Sequence, residues 1–377
     1  MTVKEENLLA NTEAAPIEPD ALPLDPALPG TTLLHQPMRL LETLSHVLVQ
    51  WLGPDANLLD SRVAIRRIVP GQPRNNRITL VVSIGLALVI GANIVKAERA
   101  PPGSVLHVAA VGDIHDEGAS SVAVATAAEA AKADFILGLG DYQYHDGTMS
   151  EYNAYFDKDW GPNVPKMYPV LAPKHDQNWE NADPLKYFNG GGAHGYKSPV
   201  TLQPYTPYSF DKRTWHFIAL PDTCARARGC NINNITSWLQ RDLETHTNLC
   251  TIAYWHQPYF TSTGKHGPEA SIKPWVDLLV AKHVDIILQG HNHFYERFAP
   301  QNAARQADPN GPQAFVVGTG GINFHTLEDT APNSVTRNDH TYGVLQLALK
   351  DRSYDWKFVP VAGGTYTDSG SMNCRSL

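Results

Sequence analysis

Two kinds of hydrophobic pattern alternate along the chain from about residue 103 onwards. Short, continuous apolar runs are typical of buried strands, and longer stretches with apolar residues at helical spacing indicate helices. The runs predict strands over residues 105–111, 135–139, 167–171, 216–220, 251–254, 284–288 and 315–317. The longer stretches predict helices over residues 118–133, 237–246 and 272–283. Strands and helices that alternate in this way favour an α/β fold, which binds ligands beyond the carboxyl ends of its strands.

The N-terminal part of the chain lacks this alternation. Residues 1–35 are rich in Pro, Ala, Glu and Asp, a composition that predicts disorder. Residues 36–52 have leucine, valine and tryptophan at helical spacing, which predicts one amphipathic helix. We therefore divide the chain into a largely disordered or cytoplasmic segment over residues 1–77, an apolar segment over 78–95, and a catalytic domain over 96–377.

The apolar segment 78–95 has the length of one membrane-spanning helix and carries no charge. Five arginines precede it without an intervening acid, so the positive-inside rule places the N-terminus in the cytoplasm and the later domain outside. Two interpretations stay open: a retained membrane anchor, or a secretory signal cleaved near Ala97, which would release a secreted or periplasmic protein. A leader of 77 residues is long for a signal peptide, so a start site downstream of Met1 is a further alternative. A buried core helix is the third interpretation of the segment.

Composition narrows the class of partner. The chain has 377 residues, 42% of them hydrophobic and 18% charged, as expected for a globular protein. Its net charge of −8 argues against nucleic acid as a partner and favours small substrates. The oligomeric state is not predicted, and a membrane is a partner only if residues 78–95 are retained.

The four cysteines all follow the apolar segment. An even number of cysteines on the predicted exported side favours disulfides. Cys224 and Cys230 flank a short loop that they could close, and Cys250 would then pair with Cys374. Two pairs of free, buried thiols are the alternative.

Clusters of acids and histidines follow several of the predicted strands. They are Asp113-Ile-His115, Gly140-Asp141-Tyr-Gln-Tyr144, Lys174-His175-Asp176, His256 and Gly290-His291-Asn-His293. Carboxylates and imidazoles brought together at strand ends are what a pair of catalytic metal ions requires. Any one of these motifs alone is weak, because Asp-x-His and Gly-Asp are common in turns. Their number and position together predict a metal centre.

The ordered set of motifs resembles the calcineurin-like metallophosphoesterase superfamily. Gly140-Asp141-x-x-Tyr144 and the string from Gly290 to Arg297 resemble its purple acid phosphatase branch and the exported bacterial relatives of that branch. The resemblance covers residues 105–374. It implies a metallophosphoesterase-type four-layer sandwich, with two central mixed β-sheets flanked by helices, here preceded by one membrane-length helix.

The resemblance also implies roles for the matching residues. Asp113 and His293 would hold one metal ion, completed by Tyr144 or His115. Asp141 would bridge to a second ion, which His256 and His291 would hold. A tyrosine ligand favours Fe(III), whereas a histidine ligand equally suits Zn, Mn or Fe(II). His175, oriented by Asp176, would protonate the leaving group or stabilise the phosphoryl oxygens.

One position departs from the family pattern. Lys174 stands where the family has the asparagine whose oxygen binds the second metal, and a protonated lysine repels a cation. The second metal site could then be weak or empty, Lys174 could bind the substrate phosphate instead, or the site could be inactive. The leading prediction is hydrolysis of phosphate monoesters. Phosphodiester or nucleotide hydrolysis at the same site and a non-catalytic binding protein are the alternatives.

Overall fold

The computed structural model describes residues 104–117, 120–172, 175–176, 182–225, 230–246, 250–262, 265–361 and 363–375. The predictions for residues 1–77, for the apolar segment 78–95, for cleavage near Ala97 and for Lys174 lie outside these ranges. Within the described ranges, no helix combines the length and the hydrophobicity that crossing a membrane requires.

Two mixed β-sheets form the centre of the fold. The first contains six strands in the order β13-β12-β11-β1-β2-β3, and the second contains seven in the order β10-β8-β9-β7-β6-β5-β4. The first sheet comprises β1 (Leu106–Val111), β2 (Phe135–Gly138), β3 (Met167–Pro169), β11 (Gly343–Leu349), β12 (Ser353–Pro360) and β13 (Asp368–Asn373). The second comprises β4 (Tyr208–Lys212), β5 (Trp215–Ala219), β6 (Cys250–Tyr254), β7 (Ile286–Gln289), β8 (Tyr295–Phe298), β9 (Gln313–Val317) and β10 (Ser334–Asn338).

Helices accompany the parallel parts of both sheets. They are α1 (Ser121–Ala130), α2 (Met149–Glu151), α3 (Asp157–Asp159), α4 (Asp183–Phe188), α5 (Ile232–Thr245) and α6 (Lys273–Ala281). A π-helical turn over Tyr152–Phe156 joins α2 to α3. Side chains define where the longer helices begin: Ser120 caps the backbone of α1 and Asn231 that of α5. Such caps satisfy main-chain donors that have no partner inside the helix.

Buried side chains on the two faces of the strands form three apolar layers. Val108 and Ala110 of β1 face the other sheet, whereas Ala109 and Val111 pack with α1 on the opposite side. Ile252 and Ala253 of β6 divide in the same way between the central layer and the layer that contains α5 and α6. Because successive side chains of a strand point to opposite faces, each sheet is buried on both sides. The predicted architecture of two mixed sheets flanked by helices is confirmed.

The predicted elements differ from the structure mainly in their ends and in the strands that were missed. Helix α5 begins at Ile232, five residues before the predicted start, because Asn231 caps it there. Strands β4, β8 and β10 to β13 were not predicted from the sequence. β10 and β13 have alternating or largely exposed residues, so they do not form the continuous apolar runs that identified the buried strands.

Both predicted disulfides form. Cys224 bonds to Cys230 across a short loop, and Cys250 of β6 bonds to Cys374 just after β13. No free cysteine remains among the described residues. The second bond joins the last strand of one sheet to a central strand of the other, so it links the two sheets covalently.

Candidate metal centre

The predicted ligands lie at the carboxyl ends of four parallel strands, two from each sheet. Asp113 follows β1, Asp141 follows β2, His256 follows β6, and His291 and His293 follow β7. β1 pairs in parallel with β2, and β6 pairs in parallel with β7. Main-chain hydrogen bonds extend each pair beyond the strand ends, since the N–H of Gly290 donates to the carbonyl of His256 and that of Asp113 donates to the carbonyl of Gly140.

The backbone around the ligands adopts unusual conformations. Asp113, Asp141 and His291 have φ angles of 59°, 52° and 68°, in the left-handed region that L-residues rarely occupy. Gly140 has φ of 88°, and a Cβ there would lie 2.8 Å from Nδ1 of His256. Strained residues of this kind cluster at functional sites, where the surrounding structure holds them in place.

Asp141, His256 and His291 form one group of converging ligand atoms. Nδ1 of His256 lies 2.8 Å from the carbonyl of Leu139, so Nδ1 carries the proton because a carbonyl can only accept. Nε2, on the other side of the ring, lies 3.2 Å from Oδ2 of Asp141 and 3.1 Å from Nδ1 of His291. These three residues offer ligand atoms that all lie within 4.8 Å of one another.

Asp113, Tyr144 and His293 form an adjoining group. The Tyr144 hydroxyl lies 3.0 Å from Oδ1 of Asp113, 3.0 Å from Oδ2 of Asp141 and 3.1 Å from Nε2 of His293. Nδ1 of His293 donates to the carbonyl of Asn323 at 2.6 Å, which leaves Nε2 as an acceptor. One hydroxyl hydrogen cannot satisfy three acceptors. Asp141 contacts both groups and therefore joins them.

Burial and charge shift the pKa values of the site strongly. Burial alone would raise the pKa of Asp141, but the imidazole of His256 outweighs it and holds the pKa well below its usual range. Burial would lower the pKa of His256, but Asp141 raises it to about 10. Burial and the neighbouring His256 hold the pKa of His291 well below its usual value. These shifts follow from the close contact between one buried carboxylate and several imidazoles.

These residues fit metal ions. Oδ1 of Asp141 is buried and has no hydrogen-bond partner within the described part of the chain, which is costly unless a cation takes that place. The backbone carbonyls of Leu139 and Asn323 bind Nδ1 of His256 and of His293, so Nε2 of each ring faces inwards. The outer partners of metal-binding histidines act in the same way. Carboxylate, imidazole and phenol donors suit iron, zinc or manganese.

Of the two alternatives for completing the Asp113 group, the geometry favours Tyr144. Both ring nitrogens of His115 are used elsewhere: Nε2 lies 2.8 Å from Asp159, and Nδ1 contacts the carbonyl of Asp116. The His115 side chain is also fully buried. The main-chain carbonyl of His115 accepts from the N–H of Tyr144, so His115 supports the loop that presents the tyrosine.

Asp176 and His175 do not interact as the sequence suggested. The buried Asp176 carboxylate accepts hydrogen bonds from the main-chain N–H groups of Asp141, Tyr142 and Ala172. Nδ1 of His175 instead contacts the carbonyl of His145, and its ring lies 4.2 Å from that of Tyr144 between centroids. Burial and the nearby Asp141 raise the pKa of Asp176 to about 7, although the main-chain N–H groups of Ala172 and Tyr142 act in the opposite direction. Asp176 therefore positions the backbone of Asp141, and His175 lies beside Tyr144 without support from Asp176.

Two further histidines adjoin the ligands. His266 stacks on His291 with 4.4 Å between ring centroids, and His325 stacks on His293 at 3.7 Å. Burial and the nearby His293 lower the pKa of His325 to about 3. Neither histidine directly follows a predicted strand, so the strand-end pattern that identified the other ligands does not identify these two. His325 is the single histidine between β9 and β10, so the composition gave no signal for it either.

No protein-family model matches the chain. It is 24% identical over 252 residues to a "probable inactive purple acid phosphatase 1" of Arabidopsis thaliana, covering 59% of this chain and 40% of that protein. It is 23% identical over 270 residues to a nucleotide pyrophosphatase/phosphodiesterase of Hordeum vulgare, covering 64% and 72%. The purple acid phosphatase PPD1 of yellow lupin (Lupinus luteus) superposes with a TM-score of 0.56 at 16% identity, covering 72% of this chain and 54% of that structure.

The described part of the chain has the metallophosphoesterase fold, and its sequence is similar to those of purple acid phosphatases. It spans less than half the length of the first curated relatives that it matches. The purple acid phosphatase fold implies divalent or trivalent metal ions, and the described Asp and His groups are suited to hold them. Lys174, which departs from the family pattern, lies outside the described residues.

Proposed function

We propose that this protein is a phosphoesterase that hydrolyses small phosphate monoesters at a centre of two metal ions. The observation that carries the proposal is the buried Oδ1 of Asp141, which has no hydrogen-bond partner among the described residues and lies beside the inward-facing nitrogens of His256 and His291. Asp113, Tyr144 and His293 would hold one ion, His256 and His291 the other, and Asp141 both. When bound, such ions supply Lewis acidity and a water of lowered pKa.

The residues of the chain have separate tasks in this proposal. His175 lies half-buried against the ring of Tyr144, where it would donate a proton to the leaving oxygen or a hydrogen bond to the phosphoryl group. His266 and His325, stacked on the two ligand imidazoles, would line the substrate side of the centre. The carbonyls of Leu139 and Asn323 keep the ligand rings oriented.

A location outside the cytoplasm is part of the same proposal. The two disulfides support an oxidising compartment, because such bonds rarely persist in the cytosol. Retention in the membrane through residues 78–95 and release after cleavage near Ala97 stay open, as does a segment over residues 1–77 on the cytoplasmic side.

A second function has specific support. Lys174 in place of a neutral ligand, and a relative named as probably inactive, favour a non-catalytic protein that binds phosphate groups on this scaffold. The relative named as a nucleotide pyrophosphatase/phosphodiesterase favours a diester or nucleotide substrate at the same centre.

The test is hydrolysis by the full, metal-loaded chain of p-nitrophenyl phosphate, a monoester, and of bis(p-nitrophenyl) phosphate, a diester. We expect faster turnover of the monoester, and a loss of about 1000-fold in Asp141→Ala, or about 4 kcal/mol of transition-state stabilisation. The matched control is Asp355→Ala, which removes an exposed carboxylate that pairs with Lys350 and should leave turnover unchanged.

Lys174→Asn separates the alternatives. If the wild-type chain is inert and Lys174→Asn is active, the lysine silences an intact centre and the binding function replaces the enzymatic one. Faster turnover of the diester would make the protein a phosphodiesterase. A folded, metal-loaded wild-type chain that is as inactive as Asp141→Ala on both substrates, with or without Lys174→Asn, would contradict the proposal.

A further inference from the structure

A second cluster of histidines and carboxylates lies on the seven-stranded sheet and α5. Asp211 of β4 and His216 of β5 are direct cross-strand partners in the antiparallel register of this hairpin. Asp242 and His246 are four residues apart at the end of α5, so they lie on the same side of the helix. The helix end and the hairpin bring the two pairs together, with the His216 and His246 rings stacked at 3.9 Å between centroids.

One residue, Asp242, orients both histidines. Its Oδ2 lies 2.8 Å from Nε2 of His216, and its main-chain carbonyl lies 2.7 Å from Nδ1 of His246. Ser209 donates to the other carboxylate oxygen of Asp242 at 2.7 Å and holds it in place. A carboxylate or carbonyl behind each ring nitrogen is the arrangement that fixes metal-binding histidines.

The remaining ring nitrogens face the two oxygens of Asp211. Nδ1 of His216 lies 2.7 Å from Oδ1, and Nε2 of His246 lies 3.7 Å from Oδ2. A separation of 3.7 Å is too long for a hydrogen bond. It is close to the roughly 3.4 Å that separates two ligands of a tetrahedral zinc ion with bonds of about 2.1 Å. The three ligand atoms all lie within 4.8 Å of one another.

We propose that Asp211, His216 and His246 form a separate binding site for one Zn²⁺ or chemically similar transition-metal ion. Two imidazoles and one carboxylate are a donor set that suits zinc, and a fourth position would be left for water. The His216 side chain is fully buried, whereas those of His246 and Asp211 are 27% and 47% exposed. The ion would therefore enter from the Asp211 side. It would join the β4–β5 hairpin to the end of α5.

The test is the zinc content and zinc affinity of the full chain and of two variants at the exposed ligands, Asp211→Asn and His246→Gln. We expect each variant to hold one zinc ion per chain fewer than the wild type, with affinity at this site weakened by about 100-fold or more. The matched control is His340→Gln, an exposed histidine that contacts a single carboxylate, Asp339, and should retain every ion. Hydrolysis of p-nitrophenyl phosphate should be unchanged in all three variants.

A second measurement isolates the site from the centre between the sheets. In a His256→Asn/His291→Asn background, one equivalent of Co²⁺ should give the visible bands of a low-coordinate site, and Asp211→Asn should abolish them. Circular dichroism confirms that each variant is folded. Equal zinc content in the wild type and both ligand variants, or a loss of the ion in His340→Gln as well, would overturn the proposal. The cluster would then be an ion-pair network only.

Discussion

Oδ2 of Asp176 lies 2.6 Å from the main-chain nitrogen of Asp141, whose side chain joins the two groups of metal ligands. The same carboxylate accepts from Tyr142 and Ala172, so it ties the ends of β2 and β3 together. Asp141 has a left-handed backbone conformation. A buried carboxylate that accepts several main-chain hydrogen bonds can hold such a residue in place.

We expect Asp176→Asn to reduce stability, because the amide presents a donor group to main-chain donors and leaves at least one of them unsatisfied. The loss should be about 2–4 kcal/mol in the free energy of unfolding at pH 8, measured in urea. Metal affinity should fall about 10- to 100-fold, because Asp141 is no longer held in position.

The control for this variant is its neighbour. His175→Gln should leave both stability and metal content close to wild type while it slows hydrolysis, because His175 does not contact those N–H groups. If Asp176→Asn resembles His175→Gln in all three measurements, Asp176 acts in the chemistry and does not position Asp141.

The visible absorption of the iron-loaded chain tests whether Tyr144 or His115 is the metal ligand. Loading the full chain with iron should produce a visible absorption band if the Tyr144 oxygen binds Fe(III). Tyr144→Phe should abolish the band, and His115→Gln should leave it, because the His115 nitrogens contact Asp159 and Asp116. A band that survives Tyr144→Phe but disappears in His115→Gln would reverse the assignment.

Asp285 precedes β7, at the opposite end of this strand from His291, and its burial predicts that stability depends on pH. Burial raises its pKa to about 6, although the main-chain N–H groups of Arg375 and Thr251 act in the opposite direction. Since the folded state binds this proton more tightly than the unfolded state, the stabilisation is complete below about pH 4 and is lost as the pH rises to about 6. The free energy of unfolding of the wild type should fall by about 2 kcal/mol relative to Asp285→Asn across this range.

The matched control for Asp285 is Asp355→Asn, which removes an exposed carboxylate and so measures the effect of changing the net charge of the chain. Urea unfolding at pH 4, 5, 6 and 7 measures both. A difference that grows in favour of the wild type as the pH rises would mean that the two N–H donors outweigh burial.

The two disulfides should contribute unequally to stability. Their sequence separations are 124 residues for Cys250–Cys374 and 6 for Cys224–Cys230. Loop-closure entropy in the unfolded chain gives about 5 kcal/mol for the long loop and about 2 kcal/mol for the short one. Urea unfolding of the Cys250→Ala/Cys374→Ala and Cys224→Ala/Cys230→Ala variants measures the two contributions. Equal losses would contradict this account.

Residue types and their positions after apolar runs were enough to locate much of the centre. Asp113, Asp141, His256 and His291 each follow a strand that is buried on both faces, and such strands are visible in the sequence as continuous apolar runs. The parallel arrangement then brings their ends to one place. The pairing of Cys250 with Cys374 was likewise predicted from the sequence and is confirmed.

Hydrogen bonding between distant segments was decided only by the tertiary structure. From the sequence alone, His115 and Tyr144 are equally suitable as metal ligands. The contact of His115 with Asp159 on α3 favours Tyr144. Asp176 follows His175 in sequence, yet two of its three main-chain partners, Asp141 and Tyr142, lie 35 and 34 residues earlier. Hydrophobic patterning determines which residues are buried, because burial depends on residue type. It cannot determine which buried polar groups meet, because those contacts depend on the packing of complete elements in three dimensions.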